Sequence, residues 1–228
     1  MNQSDKKSRI FVIIPAFNEE SVIGDVLAEV KGAGYENIIV VDDGSRDNTY
    51  GKAAAVANVT AIKHFINRGK GASVKTGMEA AKLLGADMAI TMDGDGQHNP
   101  EDIRKMIALI EEGHDVILGT RLKNPKGMPF YKIIANHIGN FLTWSIYGLW
   151  VTDSQSGFRA YSQKALNLIE TKTDRYEYDS EVIREISRHQ LKYAETPIEV
   201  RYTEYSMNKP HKMDLKNGVK ALFKMIIS

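Results

Sequence analysis

Short apolar runs alternate along this chain with longer stretches in which apolar residues recur at three- and four-residue steps. IFVIIP (10–15) reads as a buried strand closed by Pro15. NEESVIGDVLAEVKGAG (18–34) reads as a helix, capped by Asn18, with acids in its first turn and Gly32 to Gly34 at its end. The alternation continues. NIIVVDDGS (37–45), VTAIKHF (59–65), ADMAITMD (86–93) and HDVILGTR (114–121) read as strands. DNTYGKAAAVANV (47–59), KGASVKTGMEAAKLLG (70–85) and NPEDIRKMIALIEEG (99–113) read as the helices between them. Strands alternating with helices predict an α/β fold, with a mostly parallel central sheet covered by helices on both faces. In such sheets ligands gather at the carboxyl ends of the strands. Here those ends carry Asp42, Asp43, Asp93, Asp95 and Arg121.

The rhythm changes after Arg121. LKNPKGMPF (122–130) is expected to be a loop. YKIIANHIGNFLTWSIYGLWV (131–151) is long and aromatic, but Lys132, Asn136, His137 and Asn140 interrupt it. SQKALNLI (162–169) and YDSEVIREISRHQ (178–190) read as helices, and YAETPIEVRYTEY (193–205) as strands around Pro197. A loop, SMNKPHKM (206–213), and a last helix are expected to close the chain. No repeat, low-complexity tract or linker divides it.

Composition narrows the chemistry. The 228 residues are enough for one large domain, 43% of them hydrophobic and 26% charged, as in soluble globular proteins. A net charge of +1 gives no sign of a nucleic-acid partner, and none is expected. The absence of cysteine removes disulfides, thiolate zinc sites and cysteine nucleophiles, and is compatible with the cytosol. No uninterrupted apolar stretch is long enough to span a bilayer.

The turn MDGDGQH (92–98) is the sharpest chemical feature. As a calcium loop beginning at Asp93 it would need an oxygen ligand, a glycine and a glutamate where the chain has Gln97, His98 and Arg104. It also departs from the D-x-D-G-T of aspartyl phosphatases, because Gln97 replaces the threonine and an interior strand precedes it. A solvated turn is the bland alternative, since acids and glycines suit turns for local reasons. The remaining reading is a divalent cation bridging a nucleotide diphosphate. Magnesium and manganese take hard oxygen ligands, few from protein and the rest from phosphate and water.

The motifs IPAFNEESVI, VVDDGSRDNT, NRGKGASVKTG, MDGDGQHNPED, LGTR and DSQSGFRAY occur in that order. Together the chain resembles the inverting family 2 glycosyltransferases. More narrowly, it is similar to the dolichyl-phosphate mannose synthase and polyprenyl-phosphate sugar transferase branch, over about residues 9 to 205. The resemblance implies the GT-A fold, a Rossmann-like sheet with an acidic metal motif. It implies that Pro15, Phe17 and Glu19 contact the nucleoside, and that Val41 and Asp43 hold base and ribose. Asp42 is divided between that work and orienting the turn. The resemblance makes Asp93, Gly94 and Asp95 the metal-nucleotide motif, with Asp95 the first choice as direct ligand of Mg2+ or Mn2+ and Asp93 the second. Gln97 neighbours the metal or the sugar. Arg121 falls where relatives bind phosphate, which its fork geometry suits; a surface salt bridge is the alternative. Catalysis is thus expected of Asp95, Gln97 and Arg121. In NRGKG the glycines either let backbone approach a nucleotide, with Arg68 or Lys70 on phosphate, or cap a helix. Asp153, Ser156, Gly157, Phe158 and Arg159 match an element near the sugar and acceptor pocket, where Asp153 or Arg159 could instead be a buried pair shaping the loop.

The expected reaction moves a hexose or N-acetylhexosamine from a UDP- or GDP-sugar to a polyprenyl or dolichyl phosphate. An alcohol acceptor would need a base, for which Asp179 and Glu181 are candidates. A phosphate acceptor is already an anion and needs basic side chains instead, from Arg121, Lys132 and Lys209 or Lys212. Lys212, Lys216, Lys220 and Lys224 recur every four residues among apolar neighbours, a pattern that suits an anionic membrane surface or a solvated face over a core-packed helix. Phe141, Trp144, Tyr147 and Trp150 suit the bilayer interface or a core. The expectation is a catalytic domain over 1–208 and a basic amphipathic segment over 209–228, peripheral at the cytoplasmic face of a membrane. An anchoring partner or a homo-oligomer is the expected companion. A saccharide or protein acceptor, and a binding module without turnover, are the alternatives.

Overall fold

The computed structural model describes residues 8–122, 130–175, 177–201 and 205, the side chains of 130–135 and 142 excepted. Lys209, Lys212 and the expected boundary at 208 lie outside the described residues. The strands are β1 (Ile10–Ala16), β2 (Asn37–Asp42), β3 (Val59–Lys63), β4 (Met88–Thr91), β5 (Val116–Thr120), β6 (Arg159–Ser162) and β7 (Tyr193–Pro197). The helices are α1 (Ile23–Gly32), α2 (Thr49–Ala54), α3 (Lys70–Leu83), α4 (Asp102–Glu111), α5 (Phe130–Tyr147), α6 (Gln163–Leu168) and α7 (Glu177–Arg188).

The seven strands form one sheet in the order β3-β2-β1-β4-β6-β5-β7. All pairings are parallel except those of β6, which runs antiparallel to both β4 and β5. The alternation of side chains along each strand divides the core into two layers. Val12 and Ile14 of β1 with Ile38 and Val40 of β2 pack beneath α1, α2 and α4. Phe11, Ile13, Ile39 and Val41 pack on the other face beneath α3, α6 and α7. Near-continuous apolar strands are what a sheet covered on both faces requires.

Three local expectations change. Pro15 does not end β1 but pairs with Val41 within it. The β4 pairing stops at Ile13, so the missing amide of Pro15 falls where only one neighbour remains. Asn18 is not the cap of α1: the N-cap is Val22, and Asn18 takes a left-handed φ of 54° in the preceding loop. Strand β6 takes the last three residues of DSQSGFRAY together with Ser162, which is expected to begin the next helix. The polar residues that interrupt the aromatic segment do not break α5. Asn140 instead docks it, its Oδ1 accepting from the amide and the hydroxyl of Ser154 at 2.9 Å each.

Candidate active site

The loops after β1 and β2 are locked together. The amide of Asn18 donates to Ser45 Oγ at 2.8 Å, and that of Arg46 to Asn18 Oδ1 at 3.0 Å. Glu19 is buried, its amide on Thr49 Oγ1 and its Oε2 accepting from the Tyr205 hydroxyl at 2.7 Å. That carboxylate and burial together push the Tyr205 phenol up to about 12. Asp42 turns the chain by accepting the Ser45 amide at 2.9 Å, with Lys63 3.6 Å away. Asp43 accepts from the amides of Arg68 and Gly69 and meets His64 Nδ1 at 2.8 Å. Both acids therefore shape loops in this chain, Asp43 by clamping the NRGKG segment. Val41 is fully buried beneath α3, where its side chain packs in the core.

The NRGKG glycines have a packing reason. A Cβ at Gly69 or Gly71 would run into the chain at Asp174, Arg175 and Tyr178. Their absence of side chains seats the start of α3 against that chain and aims Lys70 at the acidic turn. Lys70 Nζ stands 2.7 Å from Asp93 Oδ1 and 3.8 Å from Asp179 Oδ2. Gly157 completes the arrangement, because a Cβ there would lie 2.3 Å from Lys70 Nζ and 2.9 Å from Asp93 Oδ1. Burial would lower the Lys70 ammonium, but Asp179 and Asp93 outweigh it and raise it above the ordinary lysine range. Burial would raise the Asp93 carboxyl, but Lys70, His98 and Arg121 hold it well below its usual value.

His98 closes the turn from below. It is buried, stacks on Phe158 with ring centroids 4.8 Å apart, and its Nδ1 accepts the Asp93 amide at 3.3 Å. Burial lowers its pKa despite Asp93 and Asp95. Gly94 sits where a Cβ would crowd the Pro15 carbonyl at 3.1 Å, which brings the turn against the end of β1. Phe17, half-buried, follows in the same loop. The Gln97 amide donates to Asp95 Oδ1 at 3.1 Å, and its carbonyl accepts from Arg201 at 2.8 Å.

Arg121 leaves the end of β5 and forks onto Asp153, Nε at 2.7 Å and Nη2 at 2.8 Å, while its own amide donates to the same carboxylate. The buried pair is therefore Arg121 with Asp153, and Arg159 belongs to a different one. Arg159 is 1% exposed and approaches Asp179 Oδ1 at 3.6 Å. Glu181 is bound by the amide and hydroxyl of Thr173 and by Arg184 at 2.6 Å. Lys132 falls in α5, but its side chain is outside the described part. The sequence reading missed His98, His64 and the link from Lys70 to Asp179. Only the lone Gly157 within a polar motif hinted at a close approach.

Two carboxylates suffice for an ion held mainly by a diphosphate. Among the described residues no group of three or more His, Asp or Glu side chains forms a self-sufficient metal cage. Asp95 fits the smaller task, because no basic side chain among the described residues pairs with it.

A mostly parallel, Rossmann-like sheet with an acidic turn, Lys70 and Arg121 gathered near its strand ends has the GT-A architecture. The family model "Glycosyl transferase family 2" matches residues 11–169, and the chain belongs to that family. It is a glycosyltransferase. An uncharacterized protein of Methanocaldococcus jannaschii, MJ1222, is 45% identical over 97% of this chain and 92% of its own. The UDP-N-acetylglucosamine–dolichyl-phosphate N-acetylglucosaminyltransferase of Methanococcus voltae is 41% identical over 87% of this chain and 88% of its own. Glucosyl-3-phosphoglycerate synthase of Mycobacterium tuberculosis, solved with Mn2+, UDP and phosphoglyceric acid, superposes with a TM-score of 0.69 at 17% identity. The match covers 96% of this chain and 76% of that one.

Proposed function

We propose that this glycosyltransferase moves a sugar from a nucleotide-diphosphate sugar to a polyprenyl phosphate, with inversion at the anomeric carbon. The carrying observation is the charge balance around the turn of Asp93 and Asp95. Lys70 pairs with Asp93 and the charge of Arg121, forked onto Asp153, also acts on Asp93, while Glu181, a candidate base, is spent on Thr173 and Arg184. Such a site suits two anions, a leaving diphosphate and an attacking phosphate that needs no base. In the reaction a phosphate oxygen forms the new bond to the anomeric carbon as the bond to the diphosphate breaks. Mg2+ or Mn2+, held through Asp95 with Asp93 beside it, would supply charge neutralisation for the departing diphosphate. Lys70 and Arg121 would hold phosphate oxygens, and Glu19, Phe17 and the loop clamped by Asp43 would frame the nucleoside. The Methanococcus relative supports UDP-N-acetylglucosamine as the first donor to test.

The acceptor's chemistry also supports attachment at a membrane surface. Among the described residues no helix is long and apolar enough to cross a membrane. Ile138, Phe141 and Trp144 on α5 and Trp150 in the segment after it are exposed, and the two tryptophans meet edge to face at 5.9 Å. Tryptophan at such a surface suits the bilayer interface.

The deciding experiment is a panel of UDP- and GDP-sugars assayed with polyprenyl phosphate and divalent metal. Formation of polyprenyl-phosphate-linked sugar is the expected result. Transfer to a saccharide with none to the lipid phosphate would overturn the acceptor assignment.

A further inference from the structure

Arg159 carries a charge into the interior of the protein, 1% exposed. It spends Nε on the carbonyl of Ser156 and Nη2 on the carbonyls of Ser154 and Asp179. Among the described residues its Nη1 has no hydrogen-bond partner, and neither has Oδ1 of Asp179. Those two residues nevertheless face each other, with Nη2 and Oδ1 3.6 Å apart. The second oxygen of Asp179 points the other way, 3.8 Å from Lys70 Nζ, which touches Asp93 at 2.7 Å. Four charges thus alternate in sign from the buried guanidinium to the acidic turn: Arg159, Asp179, Lys70, Asp93.

Asp179 is one of the two carboxylates considered as a general base. Its surroundings suit another task. It is 7% exposed and lies between two cations. It also stands in the first turn of α7, where the helix terminus favours a fixed anion. Arg159 stays charged at any working pH, so losing the Asp179 carboxylate would leave a buried guanidinium without its counter-ion. Lys70, by contrast, has a long flexible stem and needs an outside contact to hold its head in one place. Gly157 supplies the room and Asp179 supplies the direction.

We propose that Asp179 is a positioning residue: anchored by Arg159, it holds the Lys70 ammonium beside Asp93, where the diphosphate of the sugar nucleotide arrives. The assignment rests on the transferase reading above for the identity of that ligand.

A double-mutant cycle tests it. Asp179→Asn, Lys70→Ala and the double variant are titrated calorimetrically with UDP and with GDP in the presence of Mn2+. Each single change is expected to weaken nucleotide binding about tenfold, and Asp179→Asn to add less than about twofold once Lys70 is gone. Lys70→Arg should recover most of the affinity, and kcat of Asp179→Asn should keep the parent's pH profile. An equal penalty with and without Lys70, or a lost ionisation in the kcat profile, overturns the assignment. Asp179→Glu, with melting curves for every variant, separates this from misfolding: a purely structural role lowers the melting temperature with no coupling to Lys70, and also overturns it. Nucleotide binding needs no acceptor, so a parent that binds UDP but fails on polyprenyl phosphate overturns only the proposed function. A parent that binds neither nucleotide overturns both.

Discussion

Lys70 and Gly157 lie far apart in the chain and meet at the acidic turn, the absent side chain of one making room for the ammonium of the other. Gly157→Ala would place a methyl group 2.3 Å from Lys70 Nζ. The ammonium is the far end of a flexible chain, so it will move and the fold will survive. Transfer should fall about tenfold or more, as small displacements of a reacting group do. Activity assays beside melting curves check this: a variant that melts early and keeps its specific activity would contradict it.

Asp95→Asn removes the carboxylate with no basic partner among the described residues. Metal-dependent transfer should drop on the order of 100-fold, in line with the loss of one charge-stabilising group. Mn2+ affinity in the presence of UDP should fall with it, and the circular dichroism spectrum should not change. Full activity in this variant sinks the metal role.

Asp153→Ala breaks the fork with Arg121 at a carboxylate that is itself fully buried. Breaking a fully buried pair costs about 3–5 kcal/mol; the Arg121 side chain left behind is 25% exposed, so a smaller loss is expected, which urea unfolding would read directly. Arg121→Lys keeps the charge but loses the fork, and should lower activity more than stability.

Glu181 offers a prediction with a pH sign. Burial raises its carboxyl, and the Thr173 hydroxyl, the amides of Thr173 and Lys172, and Arg184 lower it by more, so the folded value lies below the ordinary glutamate range. A depressed carboxylate stabilises the fold above its unfolded pKa and stops doing so as pH falls through the folded one. Glu181→Gln should therefore cost about 1–3 kcal/mol near neutrality, and the gap to the parent should narrow below about pH 4. Its kcat should hardly change. A large loss of kcat with unchanged stability would restore Glu181 as a base.

Trp144→Ala combined with Trp150→Ala should reduce co-sedimentation with anionic liposomes while leaving turnover of a short, water-soluble polyprenyl phosphate intact. Equal liposome binding would make the exposed face of α5 a plain surface.

Much of the architecture is legible without coordinates, because both faces of a parallel sheet leave apolar runs that periodicity detects. Strand β6 escapes for a physical reason. It has four residues, begins with Arg159 and pairs with β4 and β5 in the opposite sense, so neither length nor apolarity marks it. Asn18 misleads because a polar residue before a helix is also what a left-handed turn selects. In the site, Asp93, Asp95, Lys70 and Arg121 stand out through motif spacing. Their pairings do not: Asp153 and Gly157 stand out only as part of a motif and Asp179 only as a candidate base, and what each of them meets is decided by folding. Asp42, Asp43 and Val41, conspicuous at a strand end, also serve the fold, the two acids by holding loops and Val41 by filling the core.

The reversed strand has a further consequence. Because β6 runs against its neighbours, it is its beginning, not its end, that lies at the carboxyl edge of the sheet. Gly157 and Phe158 reach the acidic turn from that side, and Arg159 pairs with both Thr91 and Leu118. Side chains alternate along a strand, so a slip of one residue in β6 would throw Arg159 to the opposite face. The backbone ladder of a structural strand is thereby also the gauge that sets the depth of the catalytic floor.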